Sequence, residues 1–95
     1  MNRKIYKYPL EIKDSQTIDV PAESIVISIK NQQEQPVLYA VVDADCEKKG
    51  QIRIECRGTG HMLSGEEPFE LVETVLFANG NLVFHFFTHK IPVPY

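Results

Sequence analysis

The chain has 95 residues, 43% of them apolar and 24% charged, with a net charge of −3. That length forms one domain and buries roughly 60–70% of its unfolded surface, enough for one modest core. The negative balance disfavours non-specific nucleic-acid binding. No apolar run approaches the roughly 18 residues of a membrane-spanning helix. No apolar segment follows Met1-Asn2-Arg3-Lys4, so no secretory signal is expected, and the two cysteines are expected to be reduced.

Period-2 alternation, the mark of strands, dominates the chain. Tyr6, Tyr8, Leu10 and Ile12 share one face of a first strand, and Lys13-Asp14-Ser15 turns it. Residues 16–20 form a short second strand ended by Pro21. Ile25, Ile27 and Ile29 alternate with Val26, Ser28 and Lys30 in a third. Residues 31–35 are a polar hairpin loop, residues 36–43 a fourth strand and residues 45–50 a charged loop. In a fifth strand Ile52, Ile54 and Cys56 alternate with Arg53, Glu55 and Arg57. Residues 69–77 fit a helix opened by a Ser64/Glu67 capping box, or a strand. The Asn79-Gly80 pair between two apolar runs is a hairpin signal and favours the strand. Residues 82–89 form the last strand.

The expected fold is therefore all-β: a small antiparallel sandwich or barrel of six to seven strands, with turns at roughly 8–12-residue intervals. Residues 37–42 and 82–87 carry apolar side chains on both faces, whereas a two-layer sandwich buries one face of each sheet. A partner copy is the simplest cover, so a homo-oligomer is expected, a two-fold dimer by preference. Residues 90–95 form an extended, Pro-rich tail, either a loose end or an arm laid on a neighbouring subunit with Tyr95 as its anchor.

One segment points to a ligand. If Ile52, Ile54 and Cys56 face the core, Arg53 and Arg57 share the opposite face. The turn Gly58-Thr59-Gly60-His61 follows directly. Successive N–H groups in such a turn can cradle an anion, Thr59 and His61 add polar contacts, and guanidinium forks suit phosphate. The plain alternative is an Arg–Glu–Arg ladder on a wet face followed by a glycine turn. Gly-Thr-Gly lacks the Lys-Ser/Thr of a P-loop, which excludes that type of nucleotide hydrolysis. His85 shares a face with Val83 and Phe87, packed in a core or interface or lining a pocket there. Asp43 and Asp45 offer two carboxylates, but neither they nor Cys46, Cys56 and His61 match a calcium or zinc pattern. No nucleophile elbow is present. No cofactor or catalytic residue is expected.

Ile5-Tyr6-Lys7-Tyr8-Pro9-Leu10-Glu11-Ile12, Gln16-Thr17-Ile18, Ala40-Val41-Val42-Asp43, Gly58-Thr59-Gly60-His61 and Asn81-Leu82-Val83-Phe84-His85-Phe86 resemble a family of small uncharacterised proteins encoded by tailed bacteriophages and prophages. The resemblance runs from Ile5 to Phe87, with a mild departure at Tyr39-Ala40-Val41-Val42-Asp43. It implies a phage accessory protein in the host bacterial cytoplasm and carries no activity. In that setting the leading expectation is a non-enzymatic binder of a small phosphorylated, nucleotide-derived ligand, sequestering a host-defence signal. Arg53 and Arg57 would hold phosphate, Gly58, Thr59 and Gly60 would donate N–H groups, His61 and His85 would contact ribose or base, and Tyr39 would stack. The alternative is a protein–protein module that inhibits a host protein or joins the virion. A third reading, a metal-assisted phosphodiesterase, needs Asp43, Asp45 and His61 to converge.

Overall fold

A computed structural model describes residues 2–65 and 70–91. Seven strands follow in chain order: β1 (Arg3–Pro9), β2 (Ser15–Pro21), β3 (Ile25–Gln32), β4 (Gln35–Asp43), β5 (Lys49–Gly58), β6 (Glu70–Phe77) and β7 (Leu82–Ile91). They form two antiparallel sheets, β1-β4-β3 and β2-β5-β7-β6. The sheets are stacked as an open sandwich and do not close into a barrel. Among the described residues no helix is long and apolar enough to cross a membrane. Glu67 of the alternative capping box, Phe69 and residues 92–95 of the expected tail lie outside the described residues. Lys90 and Ile91, expected in that tail, instead continue β7 as partners of Ile52 and Gln51.

The alternation of β4 and β5 builds the core. Leu38, Ala40 and Val42 point inward from the three-stranded sheet, and Ile52, Ile54 and Cys56 from the four-stranded one. Phe86 of β7 is fully buried among them, and Phe77 meets Phe84 edge-to-face with ring centroids 5.9 Å apart. Leu10 plugs the core where β1 turns toward β2, its N–H donating to the Pro36 carbonyl at 2.9 Å. Residues 70–77 form a strand, as the hairpin signal favours.

Three local expectations are corrected. The first strand ends at Pro9, so Ile12 lies outside it and is exposed. In β3 a bulge between Val26 and Ser28 inserts one residue and swaps the faces. Val26 and Ile29 therefore pack on the core, while Ile25 and Ile27 stay 56% and 49% exposed. The β6–β7 connection is a four-residue loop rather than a two-residue turn. Phe77 pairs with Leu82, and Ala78, Asn79 and Gly80 have φ of 51°, 57° and 87°.

The β3–β4 hairpin is tighter than expected. Gln32 pairs with Gln35 around a two-residue turn, Gln33 at φ 53° and Glu34 at φ 66°. That geometry ordinarily takes Asn-Gly. Here a polar clasp to the β6–β7 loop holds it. Glu34 accepts from the Ala78 N–H at 2.6 Å and from Asn31 Nδ2 at 2.8 Å. Asn31 Nδ2 also donates to the Leu76 carbonyl at 2.9 Å. The Lys30–Glu73 ion pair, 2.8 Å, bridges the same edge of the sandwich.

Candidate functional site

The outer face of the four-stranded sheet gathers most of the residues singled out above. Arg53, Glu55 and Arg57 alternate outward from β5, as expected from the inward Ile52, Ile54 and Cys56. Register sets Arg57 opposite His85 and His85 opposite Thr74. Thr59 reaches the same row from the loop. Gly60 and His61 follow it. Arg53 stands four residues before Arg57 on the same face, opposite His89.

The Arg–Glu–Arg ladder forms, but its centre is dry. Arg53 Nη2 lies 2.9 Å from Glu55 Oε1, and Arg57 Nη1 is 3.8 Å from Glu55 Oε2. Glu55 is only 4% exposed, between Ser15 of β2 and Phe87 of β7, and its Oε2 accepts no hydrogen bond. Arg57 Nη1 donates to the carbonyls of Asp14, at 2.8 Å, and Cys56, at 2.9 Å. The Cys56 N–H also donates to Asp14. Arg57 thus ties the β1–β2 connection to β5.

The glycine turn closes on its own histidine. The His61 N–H donates to the Gly58 carbonyl at 3.1 Å, and Gly60 adopts φ 86°. The Gly58 N–H donates in return to His61 Nδ1 at 3.2 Å. The ring lies so close that a Cβ on Gly58 would sit 2.8 Å from His61 Cε1. Gly58 therefore makes room for His61, and its N–H is already spent. His85 is likewise engaged at both nitrogens, Nε2 with Thr59 Oγ1 at 2.7 Å and Nδ1 with Thr74 Oγ1 at 2.9 Å. Each hydroxyl can donate or accept, so either neutral tautomer satisfies the pair.

Tyr39 does not join this group. It lies on the outer face of the three-stranded sheet, opposite Lys7 and Ser28, because the inward Leu38 and Ala40 on either side turn it away from the core. A single chain cannot stack Tyr39 over a ligand held by Arg57 and His61. Asp43, Asp45 and His61 do not converge either. The two aspartates precede Lys49 and His61 follows Gly58, the two ends of a ten-residue strand that spans roughly 30 Å. Asp43 Oδ1 accepts the N–H groups of Asn2 and Asp45, each at 3.1 Å. Those bonds, Asn2's first, hold its carboxyl below the usual range. Among the described residues no three His, Cys, Asp or Glu side chains stand close enough to hold a metal.

Cys56 is a core residue. Burial pushes its thiol up to about 11, away from the thiolate a nucleophile needs. Two clefts lie at the other end of β5. One, of about 250 Å³, is lined by Val20, Pro21, Ser24, Gln51, Lys90 and Ile91. The other, of about 240 Å³, is lined by Cys46, Lys48 and Lys49 among others. Neither contains a residue expected to bind the ligand, since both are formed where separate strand ends meet; Cys46, set aside above as a metal ligand, lines the second. Thr74 was missed for a related reason: the bulge between Leu71 and Glu73 sets which β6 side chains face His85.

No curated protein and no solved structure matches this chain. A family match does span residues 1–94, and by it the chain belongs to DUF7352, a domain of unknown function.

Proposed function

We propose that this chain is a non-enzymatic protein-interaction module that docks through the outer face of its three-stranded sheet. One observation carries the reading: Ile5, Ile25 and Ile27 are 65%, 56% and 49% exposed on one sheet, beside the half-buried Val41 that pairs with both Ile5 and Ile25. Apolar patches gathered on one face mark interaction surfaces. The resemblance to bacteriophage proteins supports a setting in the cytoplasm of an infected bacterium.

A second reading, the phosphorylated-ligand binder, draws support from the clustering of Arg53, Arg57, Thr59, His61 and His85 on the other sheet. It is weakened by how many of their donors have internal partners. Calorimetry with cyclic and ADP-ribose-type nucleotides tests it, with Arg53→Ala as control; binding that needs Arg53 would favour it over docking.

The docking reading is tested by isoleucine-methyl NMR. Signals from Ile5, Ile25 and Ile27 are expected to shift or broaden as the chain is concentrated, or when it is placed in source-cell lysate. Those of the buried Ile29, Ile52 and Ile54 stay fixed. Invariance of the three exposed methyls under both conditions contradicts the reading.

A further inference from the structure

The outer face of the three-stranded sheet has an internal order that identifies its occupant. Its rows, read across β1, β4 and β3, are Arg3–Asp43, then Ile5–Val41–Ile25, then Lys7–Tyr39–Ser28, then Pro9–Val37–Lys30. Glu23, just before β3, flanks the first row. It lines a small hollow of about 60 Å³ together with Arg3, Ile25, Val41 and Asp43. The β1 edge is thus cationic, through Arg3 and Lys7, and the start of β3 is anionic, through Glu23. Lys30 is already neutralised by Glu73.

Such a face is complementary to itself under one rotation and not under another. A dyad running along β4, between two stacked faces, lays β1 over the second copy's β3 and keeps the rows aligned. Ile5 then meets Ile25, and Arg3 meets Glu23, each contact made twice. Val41 and Tyr39 pack on their own copies at the axis. The cost is the approach of the two Asp43 carboxylates, each already held by two N–H groups. A dyad across the strands through the isoleucine row lays β1 over β1. It sets Lys7 on Arg3 twice, like charge on like, and offers Glu23 no cation. Electrostatic complementarity fixes register in this way, and an isologous contact needs one self-complementary patch.

We infer that the docking partner is a second copy of this chain, stacked through the three-stranded sheets about a dyad parallel to β4, with Arg3 of each copy against Glu23 of the other. This rests on the docking reading proposed above. The three strands, about 4.8 Å apart with about 3.3 Å per residue, offer a footprint of roughly 300 Å² per chain. A standard stable interface covers about 800 Å² per partner, so the pair dissociates on dilution. Tyr39, expected from the sequence to stack a base, instead serves as an interface aromatic.

A charge-swap experiment in trans tests this. Arg3→Glu and Glu23→Arg alter exposed side chains, so each variant should melt as the parent chain does. Sedimentation equilibrium from micromolar to millimolar concentration should show the parent chain moving from one-chain to two-chain mass. Each single variant should dissociate at least tenfold more readily. An equimolar mixture of the two should recover parent-like association, because every introduced charge then faces its opposite. A parent chain that dimerises while the mixture fails to recover overturns the arrangement and leaves docking standing. A parent chain that stays single at every concentration, while lysate alone shifts its exposed isoleucine methyls, overturns the second copy as occupant.

Discussion

Glu55 sits in surroundings that are costly to maintain. It lies in an outward row of the sheet, yet is buried, with one oxygen on Arg53 and the other unbonded. Removing Arg53 takes a hydrogen bond from this buried carboxylate and leaves it Arg57, 3.8 Å from Oε2. Arg53→Ala should therefore lower stability by about 1–3 kcal/mol in chemical denaturation. Replacing both residues with alanine should cost less than the sum of the two single changes, because the stranded carboxylate is gone. Additive effects would mean that the ion pair contributes nothing. Gly58→Ala should force the His61 ring off the turn and lose the Gly58 N–H bond to Nδ1, at about 1 kcal/mol. A changed His61 imidazole NMR signal would report the displacement; an unchanged one would contradict the packing described. The outward placement of Arg53, Glu55 and Arg57 follows from simple alternation with Ile52, Ile54 and Cys56. The burial of Glu55 does not, because it depends on Ser15 and Phe87, which only strand order brings alongside.

Two hairpins at one end of the sandwich are held in left-handed backbone by one carboxylate. Each non-glycine residue in that conformation costs roughly 1–2 kcal/mol, and Gln33, Glu34 and Ala78 all adopt it. Gln33→Gly relieves that strain without touching the clasp. After the added unfolded-state entropy of glycine it should stabilise by up to about 1 kcal/mol, raising the melting temperature by about 4 °C. Glu34 responds to pH. The Asn31 side chain first, and the Ala78 N–H second, hold its carboxyl below the usual carboxylate range. Its folded value lies below its unfolded one, so its stabilising contribution is complete above the unfolded value. That contribution is lost as pH falls through the folded one. Thermal melts should show a loss between pH 5 and 2 that is smaller in Glu34→Gln. Equal acid sensitivity in both chains would contradict the clasp.

Bulges and turn types are what sequence alternation could not show at the scale of elements. Ile25, Ile27 and Ile29 alternate as if on one face, yet the bulge between Val26 and Ser28 sends two of them out. Strand existence was readable throughout, from the tyrosines of β1 to the apolar run of β7, since period-2 patterning survives local irregularity. The Asn79-Gly80 signal located the β6–β7 turn. It misjudged the loop length, because Ala78 joins the left-handed stretch under the pull of Glu34.

For the whole molecule, the surplus of apolar strand surface was visible in the sequence, but its location was not. Residues 37–42 and 82–87 look two-faced. Yet Val37 is buried, opposite Pro9 and Lys30, and Val83 and Phe87 are half-buried. Leu82 opens the last strand 49% exposed, and the exposed surplus of the three-stranded sheet lies on Ile5, Ile25 and Ile27. A lysine at Ile25 should leave the isolated fold intact, within about 0.5 kcal/mol, as exposed substitutions do, while removing the apolar contact from the proposed pair. Sedimentation equilibrium of the parent chain from micromolar to millimolar concentration, beside Ile25→Lys, tests this most directly. The expected result is a parent mass that climbs toward two chains while the variant stays at one. A parent chain that holds the mass of a single copy throughout would contradict it.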